Sequence, residues 1–280
     1  MGIFNGSVSF SGDTLFVNNK HIKIFTETDP EKLPWKDLAI DWVVECSGKF
    51  TKKIDAQKHQ KAGAQAVLIS APSADADKII IMGLNQSEFK KGQDTVVSAG
   101  SCTTNALVPL LDVVQKSCGI ESAYMTTIHA YTNNQTLLDA DAQDVRRARA
   151  AAENIIPTTT GAMKVVDKVM PSLVGKIDGC SLRVPVSNVS LVDLSFVMQE
   201  RCDVYSLNAA LQNAEQEQWN GILSFSDESL VSSDYKGNSS SVIVDGQMTQ
   251  VTGILGKIFG WYDNEWGYSC RLKDFLLSCG

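Results

Sequence analysis

The chain holds only three histidines and seven prolines, and its seven cysteines contain no CxxC pair. A structural zinc site needs clustered Cys and His ligands, yet no histidine is followed by a second ligand at i+3 or i+4, which excludes a metal centre of that kind. The cysteines stand apart at 46, 102, 118, 180, 202, 270 and 279. An odd, scattered set in a chain of this size excludes a disulfide framework and points to a reducing compartment, the cytoplasm. Long apolar runs are also missing, so a membrane span of about 18–20 residues is not expected, and residues 1–6 have neither the basic region nor the apolar core of a secretory signal. Positive charge is in short supply: 25 Lys and Arg face 32 Asp and Glu, a net of −7, which argues against nucleic acid as a partner. Finally, no GxGxxG occurs anywhere, so the usual pyrophosphate-binding turn of a dinucleotide fold is absent from the sequence.

What is present is a chain of 280 residues, 44% of them hydrophobic, enough for two domains. Short apolar runs at 22–25, 42–46, 67–70 and 95–98 alternate with polar stretches of helix length such as 52–64. This predicts βαβ units around a parallel sheet, with 42–46 and 67–70 as central strands. Residues 8–10 and 14–17 flank Ser11-Gly12-Asp13 and predict antiparallel hairpins attached to that sheet. After Ala99-Gly100-Ser101 the period becomes helical: Leu107, Leu110, Leu111 and Val114 fall at i, i+3, i+4 and i+7, with Ser and Thr available as caps. A β segment at 123–129 follows. Residues 146–156 and 161–170 read as helices ended by Pro157 and Pro171. Alternation over 191–198 predicts a long strand in a mixed or antiparallel sheet, followed by a strand at 258–261 and a closing helix at 268–277. The expected fold class is α/β, a parallel-sheet domain over 1–101, completed by a C-terminal helix at 267–280, and an α+β domain with a mixed or antiparallel sheet over 102–266.

One cysteine is placed for chemistry. Cys102 stands at a strand-to-helix turn, where unpaired N–H groups and the helix dipole favour negative charge, stabilising a thiolate and lowering its pKa. A small cysteine filling a turn is the competing reading. A thiolate nucleophile needs a basic or cationic partner. His21, in a polar hairpin, and His59, in a stretch rich in Lys and Gln, read as solvated surface, whereas His129 ends a strand, where α/β proteins meet their ligands. Cys102 with His129 is therefore the best pair, although a structural histidine fits the same position. Arg147, crowded with Arg146 and Arg149, together with Arg183 and the Thr158-Thr159-Thr160-Gly161 turn ahead of a helix, suits phosphate; ion pairs with the many carboxylates nearby would account for them equally well.

Taken in order, several motifs form a specific combination. They are Ser101-Cys102-Thr103-Thr104-Asn105, Thr127-Ile128-His129-Ala130-Tyr131-Thr132, Arg146-Arg147-Ala148-Arg149-Ala150-Ala151, Ile155-Ile156-Pro157-Thr158-Thr159-Thr160-Gly161-Ala162, Arg183-Val184-Pro185 and Trp261-Tyr262-Asp263-Asn264-Glu265-Trp266-Gly267-Tyr268. The set closely resembles phosphorylating glyceraldehyde-3-phosphate dehydrogenase from about residue 4 to the C-terminus. The resemblance implies that Cys102 attacks an aldehyde carbon, that His129 takes the proton, and that the resulting thioester is cleaved by inorganic phosphate. It implies a substrate-phosphate site at Thr132 and Arg183, and a site for the attacking phosphate at Ser101, Thr103, Arg147, Thr160 and Gly161. It also implies a cofactor cleft with Ser47, Gly48, Phe50, Ser70, Asn264 and Tyr268, taking NAD, with NADP left open. The partners it implies are a phosphorylated aldehyde, inorganic phosphate and further copies of the chain in a homotetramer.

In that family a glycine-rich βαβ portion precedes the segment that begins here, so the resemblance also implies a shortened Rossmann-like sheet and a shortened gene product. Three alternatives stay open. Val244-Asp245-Gly246 is similar to the erythrose-4-phosphate dehydrogenase branch, although Thr158 to Gly161 and His129 to Thr132 favour the triose substrate. An inactive homologue acting as a binding scaffold is the second, and nonphosphorylating aldehyde oxidation ending in hydrolysis is the third.

Overall fold

The computed structural model describes residues 2–279. Three short strands open it, β1 (Val8–Ser11), β2 (Thr14–Val17) and β3 (Lys20–Lys23), paired antiparallel in the order β1-β2-β3. They form a sheet of their own. The attachment expected for these hairpins is not made among the described residues, and of the run at 22–25 only Ile22 and Lys23 are strand, in β3, rather than part of a βαβ repeat. β1 and β3 are exposed along their whole length, and Val8, Phe10 and Ile22 remain open to solvent.

Next come β4 (Trp42–Glu45), α1 (Lys53–Lys61), β5 (Ala66–Ile69), β6 (Lys78–Ile79) and β7 (Val96–Ser98). The strands form a parallel sheet in the order β4-β5-β7-β6. Ala66-Val67-Leu68-Ile69 is buried at every position, as a strand covered on both faces must be. The expectation of a central place holds for β5 but not for β4, which is an edge strand among the described residues. Half of its side chains are only partly buried, which sequence alternation alone does not reveal.

Helix α2 (Cys102–Cys118) leads into the second unit, with β8 (Ile120–Ala130), β9 (Ile156–Thr158), α3 (Ala162–Val169), β10 (Ile177–Val184), β11 (Ser190–Met198), α4 (Val204–Gln216), β12 (Leu223–Ser226), β13 (Val242–Asp245), β14 (Gln250–Thr252) and β15 (Leu255–Tyr262). The strands form a mixed sheet in the order β12-β13-β15-β11-β8-β10-β9, with β14 beside β15. One face packs on α2, α3 and α4 through a core that includes Leu107, Leu110, Leu111, Met125, Val166, Leu194, Phe196 and Leu211. α2 is almost wholly buried because it also faces Ile79 and Ile81 of the first unit. The last helix, α5 (Trp266–Ser278), returns to the parallel sheet, where Phe275 and Cys279 join Leu68, Ile80, Val97 and Ala99.

The helix expected over 146–156 does not form. Those residues run through turns, and Ile156 to Thr158 pair antiparallel with β10 as β9. Arg and Ala favour helix, but their backbone groups are engaged elsewhere: Asp139 Oδ1 accepts the Ala150 N–H at 2.8 Å, and the Ala148 carbonyl accepts from Ala140 at 2.9 Å. Tertiary bonds override a weak local preference. His59 also departs from the surface reading. It is buried, with its Nε2 3.0 Å from Glu45 Oε2 and its Nδ1 accepting the Trp35 indole N–H at 3.0 Å. The Lys and Gln residues around it belong to the outer face of α1, and a three-member polar network satisfies the inward ring.

Candidate active site

The sheet delivers its chemistry at strand ends. β8 and β10 run parallel in a register that sets Arg183 beside His129, and β9 sets Thr158 beside Ser181. From the other unit, β7 ends at Ser98, and Gly100 turns the chain with φ +66 into the start of α2. A side chain there would strain the backbone and press on Ile81, so glycine is favoured. Ser101 caps the helix, its Oγ accepting from the Thr104 N–H at 3.1 Å, and Asn105 Nδ2 donates to the carbonyls of Ala99 and Ser101 at 2.9 Å each. Cys102 is thus fixed on the first residue of α2.

Cys102 and His129 meet. Sγ lies 3.6 Å from Nε2, on the wall of a cavity of about 820 Å³. Tyr262 packs its edge against the imidazole at 5.9 Å, and its hydroxyl bridges the Thr103 and Thr127 hydroxyls at 3.0 and 2.8 Å. On the far side of the ring, Nδ1 is 2.7 Å from the Ala130 carbonyl and 2.6 Å from Arg183 NH1.

The electrostatics correct one expectation. Burial pushes the Cys102 thiol up rather than down, outweighing the Thr103 hydrogen bonds and the positive charge of Arg183. Burial, seconded by Arg183, pushes His129 down to about 4. Both shifts run toward the uncharged forms of the two groups.

A stability prediction follows from His129. The unfolded ring gains its proton near pH 6.5, whereas the buried ring stays neutral down to about 4. Between those values the unfolded chain binds more protons, so stability falls as pH drops through that window, by about 3 kcal/mol in all. Urea unfolding across pH 7 to 4 should show this loss, and H129N should flatten it.

The cavity also gathers Ser47, Gly48, Ser70, Ser101, Thr103, Thr132, Arg147, Thr160, Gly161 and Arg183 from the expected set. Arg147 is held against β9, with its Nε and NH2 donating to Thr158 Oγ1 at 3.0 and 2.6 Å, and it also pairs with Asp144 at 3.3 Å. Arg149 faces Asp139, so the ion-pair reading holds for that residue. Thr160 Oγ1 accepts from Ala162 N–H at 3.2 Å, at the start of α3.

Three expected residues stand outside the cavity wall. Phe50 packs edge-on against His59, the buried Asn264 takes the Ser190 hydroxyl at 3.1 Å on Oδ1, and Tyr268 donates its hydroxyl to the Gly100 carbonyl at 2.9 Å. Sequence reasoning missed Gln135, which lines the cavity and accepts from the Thr132 N–H at 2.9 Å, as well as Ser181 and Cys46 on its wall. None of these had a pattern signal. Tyr262 lay inside a motif already noted, without a role.

Three polar atoms beside the cavity lack partners. Gln135 Nε2, Ser181 Oγ and Arg183 Nε are buried and unpaired, and all three belong to residues lining it. Toward the parallel sheet, Ser47, Gly48 and Ser70 follow the carboxyl ends of β4 and β5, the edge where open α/β sheets hold nucleotides. The fit for NAD lies in this strand-end wall beside Cys102 and in a cavity large enough for an organic cofactor.

Comparison with known proteins agrees with this geometry. Residues 101–264 match the family "Glyceraldehyde 3-phosphate dehydrogenase, C-terminal domain", and residues 1–53 match "Glyceraldehyde 3-phosphate dehydrogenase, NAD binding domain". Glyceraldehyde-3-phosphate dehydrogenase 2 of Streptomyces avermitilis is 47% identical, over 100% of this chain and 84% of its own length. The Geobacillus stearothermophilus and Bacillus subtilis enzymes, the latter numbered 1, are each 47% identical, over 98% of this chain and 82% of their own lengths. Likeness of that extent, over 98–100% of the chain, means that the chain belongs to the glyceraldehyde-3-phosphate dehydrogenase family.

Proposed function

We propose that this chain oxidises glyceraldehyde 3-phosphate to an acyl phosphate through a thioester on Cys102. The observation that carries the reading is the contact of 3.6 Å between Sγ and His129 Nε2 in a cavity that Arg147 and Arg183 also line. In this reading the sulfur attacks the aldehyde carbon while its proton passes to Nε2 and from there to the former carbonyl oxygen, giving a thiohemiacetal and returning the imidazole to its neutral form. His129 then takes the hydroxyl proton as the adduct becomes a thioester. NAD, when bound at the β4 and β5 ends, supplies the hydride acceptor. Inorganic phosphate attacks the thioester carbon, the C–S bond breaks, and the electron pair returns to sulfur.

Thr132 and Arg183 hold the substrate phosphate, with Gln135 fixing Thr132. Ser101, Thr103, Arg147, Thr160 and Gly161 receive the attacking phosphate, helped by the N–H groups at the start of α3. Ser47, Gly48 and Ser70 line the cofactor side, while Asn264, Tyr268 and Phe50 act from behind it, Tyr268 by fastening the turn into α2. The domains divide at residue 101, with 102–266 catalytic and 267–280 returned to the first unit, as the packing of Phe275 and Cys279 supports.

A homotetramer is part of the same reading. Leu137, Leu138, Val145 and Ile155 are 62, 77, 80 and 66% exposed within one loop, and Leu137 also lines the cavity, so a second copy covering this loop would border the site. A cytoplasmic place accords with seven unpaired cysteines, and no helix among the described residues is long and apolar enough to cross a membrane. The test is NADH formation from glyceraldehyde 3-phosphate with and without inorganic phosphate. Turnover that needs phosphate supports the reading; equal turnover without it assigns hydrolysis instead.

A further inference from the structure

Four residues of the first unit form one chain of hydrogen bonds that ends on the cavity wall. The Trp35 indole N–H donates to His59 Nδ1 at 3.0 Å, and His59 Nε2 lies 3.0 Å from Glu45 Oε2. Glu45 Oε1 accepts both the Ser47 N–H, at 2.7 Å, and the Ser47 hydroxyl. His59 stands on α1, Glu45 is the last residue of β4, and Trp35 precedes that strand in a turn. His59 and Glu45 are buried, whereas Ser47 and Gly48 line the cavity. The chemistry proposed for Cys102 and His129 uses neither buried group.

Donor and acceptor roles along this chain are settled by chemistry. An indole N–H only donates, so Nδ1 is the bare nitrogen and Nε2 carries the ring proton that goes to Glu45. A carboxylate accepts on both oxygens, one toward His59 and one toward Ser47. Burial pushes the Glu45 carboxyl up, but the bonds from His59 and Ser47 together outweigh it and hold the group below its usual range. The Ser47 hydroxyl proton points at Glu45, and Ser47 Oγ also accepts from the Lys49 N–H at 3.1 Å. Toward the cavity that oxygen can therefore only accept. Gly48 continues the turn with φ +71, a backbone that favours glycine, and Phe50 packs edge-on against the His59 ring at 6.3 Å.

We propose that His59 and Glu45, with Trp35 behind them, are positioning residues for the cofactor: they hold the Ser47-Gly48 turn in place and keep the Ser47 oxygen as an acceptor for a ligand hydroxyl or amine. This rests on the reading of the strand-end wall as the NAD side and deepens it. In the sheet, β5 lies between β4 and β7, so Ser47 stands about two strand spacings, roughly 10 Å, from the turn that leads into α2. Hydride transfer takes place beside Cys102, so Ser47 serves the half of the dinucleotide away from the reacting ring. The sugar hydroxyls and base amine of that half are donors, which match an oxygen whose own proton is turned inward.

The test titrates the full chain with NAD, ADP-ribose and nicotinamide mononucleotide by calorimetry, and follows the His59 ring nitrogens and the exchange of the Ser47 amide by NMR without ligand. His59 should carry its proton on Nε2. E45Q keeps the shape of the side chain but has one accepting oxygen where two are needed. It should raise Kd for NAD and ADP-ribose by roughly tenfold or more, the worth of one buried hydrogen bond to a charged group, and leave nicotinamide mononucleotide unaffected. Exchange at Ser47 should quicken, and the kinetic effect should fall on KM for NAD with kcat kept. H59Q retains a donor and an acceptor and should bind nearly as the unmodified chain does, whereas H59L retains neither and should lose affinity as E45Q does. S47A, at an exposed position, shows the same loss should the buried variants fail to fold. A His59 ring protonated on Nδ1 alone, unchanged affinity and Ser47 exchange in a folded E45Q or H59L, or unchanged affinity in S47A, overturns the proposal. An equal loss in H59Q and H59L makes His59 a packing residue and overturns it too. No binding of NAD or ADP-ribose by the unmodified chain sinks the cofactor reading beneath, while the His59 tautomer and the Ser47 exchange still decide whether the buried pair holds the turn.

Discussion

Cys102→Ser is expected to lower kcat for phosphate-dependent aldehyde oxidation by roughly 10⁵-fold or more, because removing a nucleophile costs the whole covalent route rather than one contact in it. The substitution changes one atom on the first residue of α2, and the features that fix that residue do not involve the sulfur: the Ser101 cap, the Gly100 turn and the Asn105 bonds. The fold should therefore be kept, and the loss should be one of chemistry. A hydroxyl there would have to give up a far less acidic proton to the same imidazole, and burial that already raises the thiol would penalise an alkoxide more. Rates of NADH formation at saturating substrates, beside an unchanged urea midpoint, check this. A loss smaller than tenfold with an intact fold would assign the nucleophile elsewhere.

His129→Asn should cost roughly 10²- to 10⁴-fold in kcat, the usual worth of a positioned general base. The Cys102 thiol, pushed up by burial, has no other titratable base within contact among the described residues. KM for the phosphorylated aldehyde should change little, since Arg183 and Thr132 hold the phosphate in this reading. A rise in KM with kcat intact would make His129 a binding residue instead. The pH profile separates the two roles again, because the unmodified chain keeps a neutral base down to about pH 4 and the variant has no such limb.

Much of this site was legible because strand ends and helix starts leave local marks. Cys102 follows a β run and precedes an i, i+3, i+4, i+7 pattern, and His129 closes a β run, so each residue's address could be read from its neighbours. Their meeting could not, because it depends on how α2 packs against the mixed sheet that carries β8. The thiol's direction of shift also escaped. A helix N-terminus is visible in sequence, whereas desolvation depends on what the fold lays over the sulfur.

Elsewhere the failures share one cause. The segment at 146–156 has helical composition but spends its backbone on Asp139 and on β10. His59 sits among Lys and Gln yet turns inward to Glu45 and Trp35. Gln135 lies in a loop without periodicity, and only the fold shows that its carbonyl holds Thr132. For the first two a partner distant in sequence decides the outcome, while Gln135 bonds a residue only three positions away and is placed on the cavity by the fold.

The most direct measurement is the mass of the chain after mixing with glyceraldehyde 3-phosphate and NAD in phosphate-free buffer, followed by peptide mapping and then by addition of inorganic phosphate. The account predicts one acyl group, attached to Cys102 and to none of the other six cysteines, and discharged when phosphate is added. An acyl group on another cysteine, none at all with substrate shown to bind, or one that phosphate leaves in place would contradict it.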